Sequence, residues 1–121
     1  MVKNGIYILH IYVSERFRTP QRHMPHFGGF GMREHQIESY LVDLAQRKGG
    51  LCYKWQSTRR GVPDRLLFIP GGKVVLVEVK APGEKPTTQQ LYVHGLLREK
   101  GQDVRVVDSR ESVERLIEEL M

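Results

Sequence analysis

The spacing of hydrophobic residues predicts two helices in the first part of segment 32–121. The earlier one ends at the glycine pair 49–50, and its apolar stripe consists of Ile37, Tyr40, Leu41, Leu44 and Ala45. The later one begins at Thr87 or Thr88, either of which would act as N-cap, and runs to Lys100. Gly101 follows directly, as expected after the last turn of a helix.

Between these helices, three shorter apolar segments have the length and alternation of strands. Segment 51–56 alternates and places Leu51, Tyr53 and Trp55 on one face. We interpret Trp55 as a core residue in preference to a platform for base stacking. The other two segments, 64–69 and 73–80, flank a strong hairpin signal at Pro70-Gly71-Gly72.

The last part of the chain predicts one strand and one more helix. Val104–Val107 reads as a short strand, and Asp108 with Glu111 forms a capping box. The buried stripe of the helix would be Val113, Leu116, Ile117 and Leu120. The order is helix, three strands, helix, strand, helix, which indicates an α/β domain with a mixed sheet flanked by helices.

Residues 1–31 do not continue this pattern. Ile6–Val13 could form a strand, but the rest mixes Arg, His, Pro and Gly without a period. We therefore separate an N-terminal leader or arm, 1–31, from a domain at 32–121. Two explanations stay open: an upstream start-site extension or appended leader, and an arm that helps a partner subunit or nucleic acid bind. A metal role for His23 and His26 is not expected.

Composition and charge narrow the class of protein. A chain of 121 residues forms one domain with a single core. One cysteine, Cys52, excludes an internal disulfide and fits a reducing compartment, and Ile6–Val13 is too short to span a membrane. We expect a cytoplasmic protein. The net charge of +5, with basic residues concentrated in segment 49–90, favours an acidic partner such as nucleic acid.

The hairpin turn determines which side chains face each other. With a loop of residues 70–72, Asp64 lies opposite Glu78, and Lys80 points to the same side. Facing Cβ atoms are about 4.5–5.5 Å apart, close enough for two carboxylates to hold one divalent cation. The other face is apolar: Leu67, Ile69, Val75, Val77 and Val79. The pattern alone allows a metal-dependent catalytic site or an ordinary cross-strand ion pair.

These residues resemble the PD-(D/E)XK nuclease superfamily, which includes restriction endonucleases and Holliday-junction resolvases. The closer resemblance is to the small stand-alone VRR-NUC domains of phages and bacteria. It rests on Gly61-Val62-Pro63-Asp64, Glu78-Val79-Lys80-Ala81-Pro82-Gly83 and Lys85-Pro86-Thr87-Thr88-Gln89-Gln90. It covers about residues 32–108 and implies a restriction-endonuclease-like core.

The resemblance also implies catalytic roles. One or two ions of Mg²⁺ or Mn²⁺ would be bound by Asp64, Glu78 and the main-chain carbonyl of Val79. Lys80 would orient or deprotonate the attacking water, or neutralise developing charge; two adjacent carboxylates favour the charged ammonium and hence the last role. Gln90 would help position the water or Lys80, against the simpler interpretation of a solvated amide.

Further site residues follow from the same family pattern and from charge. The family places a glutamate in the first helix, for which Glu34 and Glu38 are candidates. The family's spacing favours Glu34, our choice, whereas an alignment to resolvase-like sequences favours Glu38. Four cations flank the site in sequence and are candidate DNA-phosphate contacts: Lys54, Arg59, Arg60 and Lys85. Arg65 is the weakest candidate because it points away from Asp64. His94 is interpreted as structural.

The function implied by the resemblance is a divalent-metal-dependent DNA endonuclease, a phosphodiester hydrolase that selects branched DNA or four-way junctions. Neither a base-reading helix nor a target-recognition domain is recognisable in the sequence. A homodimer would supply two active sites for paired incision. The alternative is a non-catalytic nucleic-acid-binding module on a nuclease-like fold. Degraded nuclease relatives usually lose the Asp or the Lys, whereas this chain retains both.

Overall fold

A computed structural model of the chain describes residues 32–121. It confirms the predicted order of helices and strands. The seven elements are α1 Glu34–Arg47, β1 Leu51–Lys54, β2 Arg65–Phe68, β3 Val74–Val79, α2 Thr88–Glu99, β4 Val104–Val107 and α3 Arg110–Leu120. The predictions about the leader, including His23 and His26, lie outside the described residues. None of the helices described in 32–121 has the length and apolar character needed to cross a membrane.

The four strands form one mixed sheet in the order β1-β2-β3-β4. The first three are antiparallel neighbours, as expected for strands joined by short connections. Strand β4 runs parallel to β3, and helix α2 supplies the crossover that a parallel pair needs. The mixed sheet with flanking helices confirms the predicted α/β class.

The register of the β2–β3 hairpin is the predicted one. Arg65 pairs with Val77 and Phe68 with Val74. The Ile69 N–H donates to the Lys73 carbonyl at 2.9 Å, which closes a three-residue loop. Both glycines of that loop, residues 71 and 72, have positive φ values of 101° and 107°, a region that favours glycine. One step beyond the Arg65–Val77 pair, Asp64 therefore faces Glu78.

The hydrophobic core lies on one face of this sheet, beneath α1 and α3. It contains the predicted apolar face of the hairpin and the stripes of both helices, with Leu67, Val75, Val77, Ile37, Leu41, Val113 and Ile117 at most 1% exposed. Successive side chains in a strand alternate between faces, so Glu78 and Lys80 emerge on the other face. Helix α2 lies on that side, where His94 approaches Glu78.

Two local predictions were wrong. Strand β1 ends at Lys54, and its core-facing residue is Cys52, which pairs with Leu67 on the core side of β2; Tyr53 is 52% exposed. Trp55 therefore lies on the face away from the core and is only partly buried. Helix α3 is capped by Ser109 with Ser112, because the Ser109 hydroxyl accepts the Ser112 N–H at 3.0 Å, and not by Asp108 with Glu111.

Candidate active site

The candidate site lies where β3 ends beside the start of β2. Glu78 is the penultimate residue of β3 and only 6% exposed, although it carries a carboxylate. Asp64 directly precedes β2 and is partly buried; its main-chain carbonyl accepts the Trp55 N–H at 3.0 Å, which extends the β1–β2 pairing by one residue. The hairpin register thus brings the two acidic side chains to facing positions on one side of the sheet.

The surroundings of Glu78 disfavour the charged form of its carboxyl group. Burial, together with repulsion from Asp64 and Glu34, raises the pKa of Glu78 to about 7. Attraction by Lys80 and hydrogen bonding by Gln90 oppose it without cancelling it. The site therefore holds more negative charge than its own cation neutralises, in a place largely shielded from water.

The donor set fits a hard divalent cation. Asp64, Glu78 and the Val79 carbonyl offer only oxygen atoms, the ligands that Mg²⁺ and Mn²⁺ prefer. Within residues 32–121, no group of three or more His, Cys, Asp or Glu side chains is arranged to hold a metal ion. A pair of carboxylates suits an ion that keeps several waters in its coordination shell, as Mg²⁺ does.

Lys80 supplies a buried positive charge next to the acidic pair. The residue is 7% exposed, and its N–H donates to the Val107 carbonyl at 2.8 Å, so the backbone is held by the end of β4. Its Nζ lies 4.0 Å from the Oε1 of Glu84, a side chain that is 55% exposed. Among residues 32–121, Glu84 is the only acidic side chain within 4.0 Å of this ammonium, and it stays near solvent.

The two candidate glutamates of α1 have different surroundings. Glu38 is ion-paired: its Oε1 accepts a hydrogen bond from Arg65 Nε at 2.7 Å and lies 3.9 Å from Lys54 Nζ. Glu34 is exposed in the first turn, and its charge acts on Glu78. Of the two, Glu34 contributes to the raised pKa of Glu78, whereas Glu38 contacts Arg65, which points away from Asp64 as expected.

The sequence offers two interpretations of Gln90, a residue that positions the water or Lys80 and a solvated amide, and its contacts match neither fully. Its Oε1 accepts the Thr87 N–H at 2.9 Å, and its own N–H donates to Thr87 Oγ1 at 3.2 Å, so it closes the capping box of α2. The same amide contributes a hydrogen bond that lowers the pKa of Glu78. Gln90 is therefore a fixed cap beside the acidic pair, not a freely solvated amide.

The four cations that flank the site in sequence are exposed. Arg59, Arg60 and Lys85 are exposed, and no carboxylate of segment 32–121 lies within 4.0 Å of their charged groups. Lys54 is also exposed but lies 3.9 Å from Glu38. These cations are available to neutralise an anionic ligand.

Gly61 lets the loop that carries Arg59 and Arg60 approach α2 closely. Its φ is +90°, and a Cβ at this position would meet the Gln89 carbonyl oxygen and the Val93 Cγ2 at 2.9 Å. Only glycine combines this left-handed conformation with so close an approach. The Gly-x-Pro-Asp motif therefore sets the path of the backbone that leads into Asp64.

Two residues of the site region were assigned to the core or to structure by the sequence. His94 is fully buried, its Nε2 lies 4.0 Å from Glu78 Oε1, and neither ring nitrogen has a hydrogen-bond partner among residues 32–121. Its position four residues after Gln90 on one helix face is the signal that could have located it. Trp55 stands beside Asp64, and no signal in the sequence gives the β1–β2 register that puts it there.

The sequence model of the VRR-NUC domain matches residues 10–111 of this chain. The chain belongs to the VRR-NUC family. It is 51% identical over 81 residues to "Putative nuclease p44" of Acyrthosiphon pisum secondary endosymbiont phage 1, an alignment that covers 66% of this chain and 87% of that protein. A solved structure described as a VRR-NUC domain is 34% identical, with a TM-score of 0.67 and coverage of 73% of this chain and 97% of that one.

These relationships give the site its context. The VRR-NUC domain is a nuclease-type domain, and the acidic pair, Lys80 and the basic loop all lie inside the matched segment. The buried charges at the end of the hairpin therefore belong to the part of the chain that the VRR-NUC family model matches.

Proposed function

We propose that this VRR-NUC chain is a divalent-metal-dependent endonuclease that hydrolyses phosphodiester bonds in DNA. The single observation that supports this best is the burial of Glu78 opposite Asp64. Its pKa is raised to about 7 by desolvation and by neighbouring acids. A site that concentrates carboxylate charge against its own folding stability is suited to receive a cation.

Each polar side chain of the site has a role in this proposal. Asp64, Glu78 and the Val79 carbonyl would hold Mg²⁺ or Mn²⁺, and Glu34 would add negative charge from α1. When bound, such an ion lowers the pKa of water and stabilises negative charge on a phosphate. Lys80, buried and fixed at its backbone, would orient the water or neutralise charge that develops on the scissile phosphate. Gln90 would hold Glu78 from the α2 side.

The preferred substrate in this proposal is branched DNA such as a four-way junction. Lys54, Arg59, Arg60 and Lys85 would contact phosphates, which orient DNA without reading its sequence. The outward face of α2 carries exposed apolar side chains, Leu91, Tyr92 and Leu96, and is therefore not a base-reading surface. Shape would then select the substrate.

We further propose that the active form is a homodimer, which would cut two strands of a symmetric junction. The exposed row on α2, where Tyr92 is 61% exposed, supports a self-complementary contact between two copies. Replacement of Tyr92 by Glu should shift sedimentation from dimer to monomer and reduce paired incision of a junction. A wild-type protein that sediments as a monomer at the concentrations used for cleavage would contradict the dimer alone.

Cleavage of labelled DNA tests the main proposal. A four-way junction and a linear duplex of the same length are incubated with Mg²⁺, Mn²⁺ or EDTA. Cleavage should require metal and favour the junction. Asp64→Ala and Lys80→Ala should each reduce cleavage by about 100-fold or more while circular dichroism and DNA retardation stay close to wild type.

The same assay distinguishes the alternative. DNA that is retarded but uncut under every metal condition would favour a non-catalytic nucleic-acid-binding module. Near wild-type cleavage by either variant would mean that the assigned roles are wrong.

A further inference from the structure

A cavity of about 660 Å³ opens beside Asp64 on the side of the sheet away from the core. Six residues line it: Lys54, Trp55, Gln56, Ser57, Val62 and Asp64. Its volume lies within the range of about 300–1,000 Å³ that is typical of small-molecule sites. Of these residues, only Asp64 and Lys54 take part in the hydrolysis proposed above. The proposed hydrolysis therefore assigns no ligand to the rest of the cavity.

The lining has the chemistry of a nucleotide site. Trp55 offers an aromatic face, on which any nucleobase can stack. Its indole Nε1 is buried without a hydrogen-bond partner among residues 32–121, a donor that a ligand could satisfy. Ser57 Oγ accepts the Arg59 N–H at 3.0 Å and keeps its own hydroxyl proton free to donate. Gln56, which is exposed, adds an amide that can hydrogen-bond to a ligand.

The position of the cavity links this occupant to the acidic pair. The Trp55 N–H is bonded to the Asp64 carbonyl at 3.0 Å, so the two residues face each other across β1 and β2 and project to the same side. A strand whose phosphate reaches Asp64 would have its neighbouring nucleotide within reach of the indole. The nearest base would be the one to enter the cavity.

We propose that the cavity binds one unstacked nucleotide of the DNA strand, next to the phosphate at Asp64, with its base on Trp55. This inference rests on the proposed function. Extruding a base from a continuous duplex costs a few kcal/mol, and the cost is smallest where the base is already unpaired. The cavity thus gives the site a physical means of favouring branch points, where bases are unstacked, over linear duplex.

Trp55 is the only tryptophan of the chain, so its fluorescence reports directly on this cavity. The full chain is titrated in EDTA with a thymidine tetranucleotide and with an abasic tetranucleotide of the same charge; gel analysis verifies that both stay intact. The thymidine ligand should quench the tryptophan emission by stacking, and the abasic ligand should not. Equal quenching by both, or quenching by neither, would overturn the proposal.

Variants test the same contact without fluorescence. Trp55→Leu should weaken anisotropy-measured binding of the thymidine ligand by roughly 5- to 100-fold, whereas Trp55→Phe, which keeps an aromatic face, should stay within about threefold of wild type. The control is Tyr53→Leu, an exposed aromatic of the same strand that does not line the cavity; its affinity should not change. Thermal melts exclude misfolded variants.

The outcomes separate this inference from the proposed function. Metal-dependent cleavage of junctions by a protein whose Trp55→Leu variant binds the thymidine ligand like wild type would overturn the nucleotide cavity and leave the nuclease proposal standing. Base-dependent quenching by a protein that cuts no DNA with any metal would support the cavity and contradict the nuclease proposal.

Discussion

Both ends of β3 carry clusters of charged side chains, and the two clusters are balanced in different ways. At the hairpin end, Asp103 lies 2.9 Å from Lys73 Nζ and 2.6 Å from Arg105 Nε, and Arg105 also binds Glu119 at 2.7 Å. Hydrogen bonding to Arg105 holds the pKa of Asp103 below its usual value. Each charge there has a partner, so this cluster supports the folded state.

At the site end, no Arg or Lys side chain of residues 32–121 lies within 4.0 Å of the two acids. Burial and the charges of Asp64 and Glu34 raise the pKa of Glu78, and the attraction that opposes them comes from Lys80. His94 does not supply a second cation, because burial and the nearby Arg98 and Lys80 lower its pKa and keep the ring neutral. The opposite directions of the pKa shifts distinguish charge arranged for folding from charge arranged for a ligand.

Neutralising one acid at each end should therefore give opposite results. Glu78→Gln should reduce metal-dependent cleavage by about 100-fold or more, since it removes a proposed metal ligand. It should also stabilise the metal-free protein at pH 8 by on the order of 1–3 kcal/mol, because a buried carboxylate is replaced by a neutral amide. Asp103→Asn should leave cleavage unchanged and destabilise the protein by about 1 kcal/mol. Urea unfolding in EDTA measures the stability of both variants, and cleavage of labelled junctions with Mg²⁺ measures their activity.

The sign of the pH dependence follows from the raised pKa. The folded-state pKa of Glu78, about 7, exceeds its ordinary value of 4.5, so the folded protein holds the proton more tightly than the unfolded chain does. The stabilisation due to this proton is complete below pH 4.5 and is lost as the pH rises through 7. The advantage of Glu78→Gln over wild type should accordingly grow between pH 5 and pH 8. A constant difference across that window would contradict the electrostatic account of Glu78.

A second contrast uses one glycine from each end. Gly61→Ala adds a Cβ that meets the Gln89 carbonyl and Val93 at 2.9 Å, in addition to a left-handed φ of +90°. We expect a loss of about 2 kcal/mol or more and about tenfold slower cleavage, because the backbone leading into Asp64 must move. Gly71→Ala, in the hairpin turn, has a φ of +101° but nothing within 4 Å. It should cost about 1–2 kcal/mol and leave cleavage unchanged.

Both glycine variants are assayed below the midpoint of thermal unfolding, so that cleavage rates refer to folded protein. Equal cleavage losses in the two variants would mean that the contact of Gly61 with α2 does not position the site.

The features that the sequence predicted correctly are those fixed by local rules. The Pro-Gly-Gly turn has a definite length, and this length determined the register that places Asp64 opposite Glu78. The cap of α2 at Thr87 followed in the same way from local hydrogen bonding. The cap of α3 was displaced by one residue because Asp108 and Ser109 are both good N-caps and propensity does not separate them.

The incorrect predictions concern features set by distant parts of the chain. Which side chains of β1 face the core depends on its pairing with β2 across the connection 55–64. In this register the small Cys52 enters the core and the bulky aromatics do not. The same pairing places Trp55 beside Asp64, and a register between strands so joined cannot be read from alternation. The interpretation of His94 as structural is not one of these: the ring is fully buried, and only the tertiary fold brings it to Glu78.

The smallest expected effect concerns the cations at the two ends. Arg59 and Arg60 have no carboxylate partner within 4.0 Å in segment 32–121, whereas Lys73 at the hairpin end is bound to Asp103 at 2.9 Å. Each arginine that contacts a phosphate should contribute about 0.9 to the slope of log affinity against log salt concentration, so the double change to Gln should lower that slope by about 2. Lys73→Gln should leave it unchanged. Junction binding in EDTA at several salt concentrations measures the slopes. An equal decrease in both variants would mean that DNA phosphates are not bound preferentially at the site end of β3.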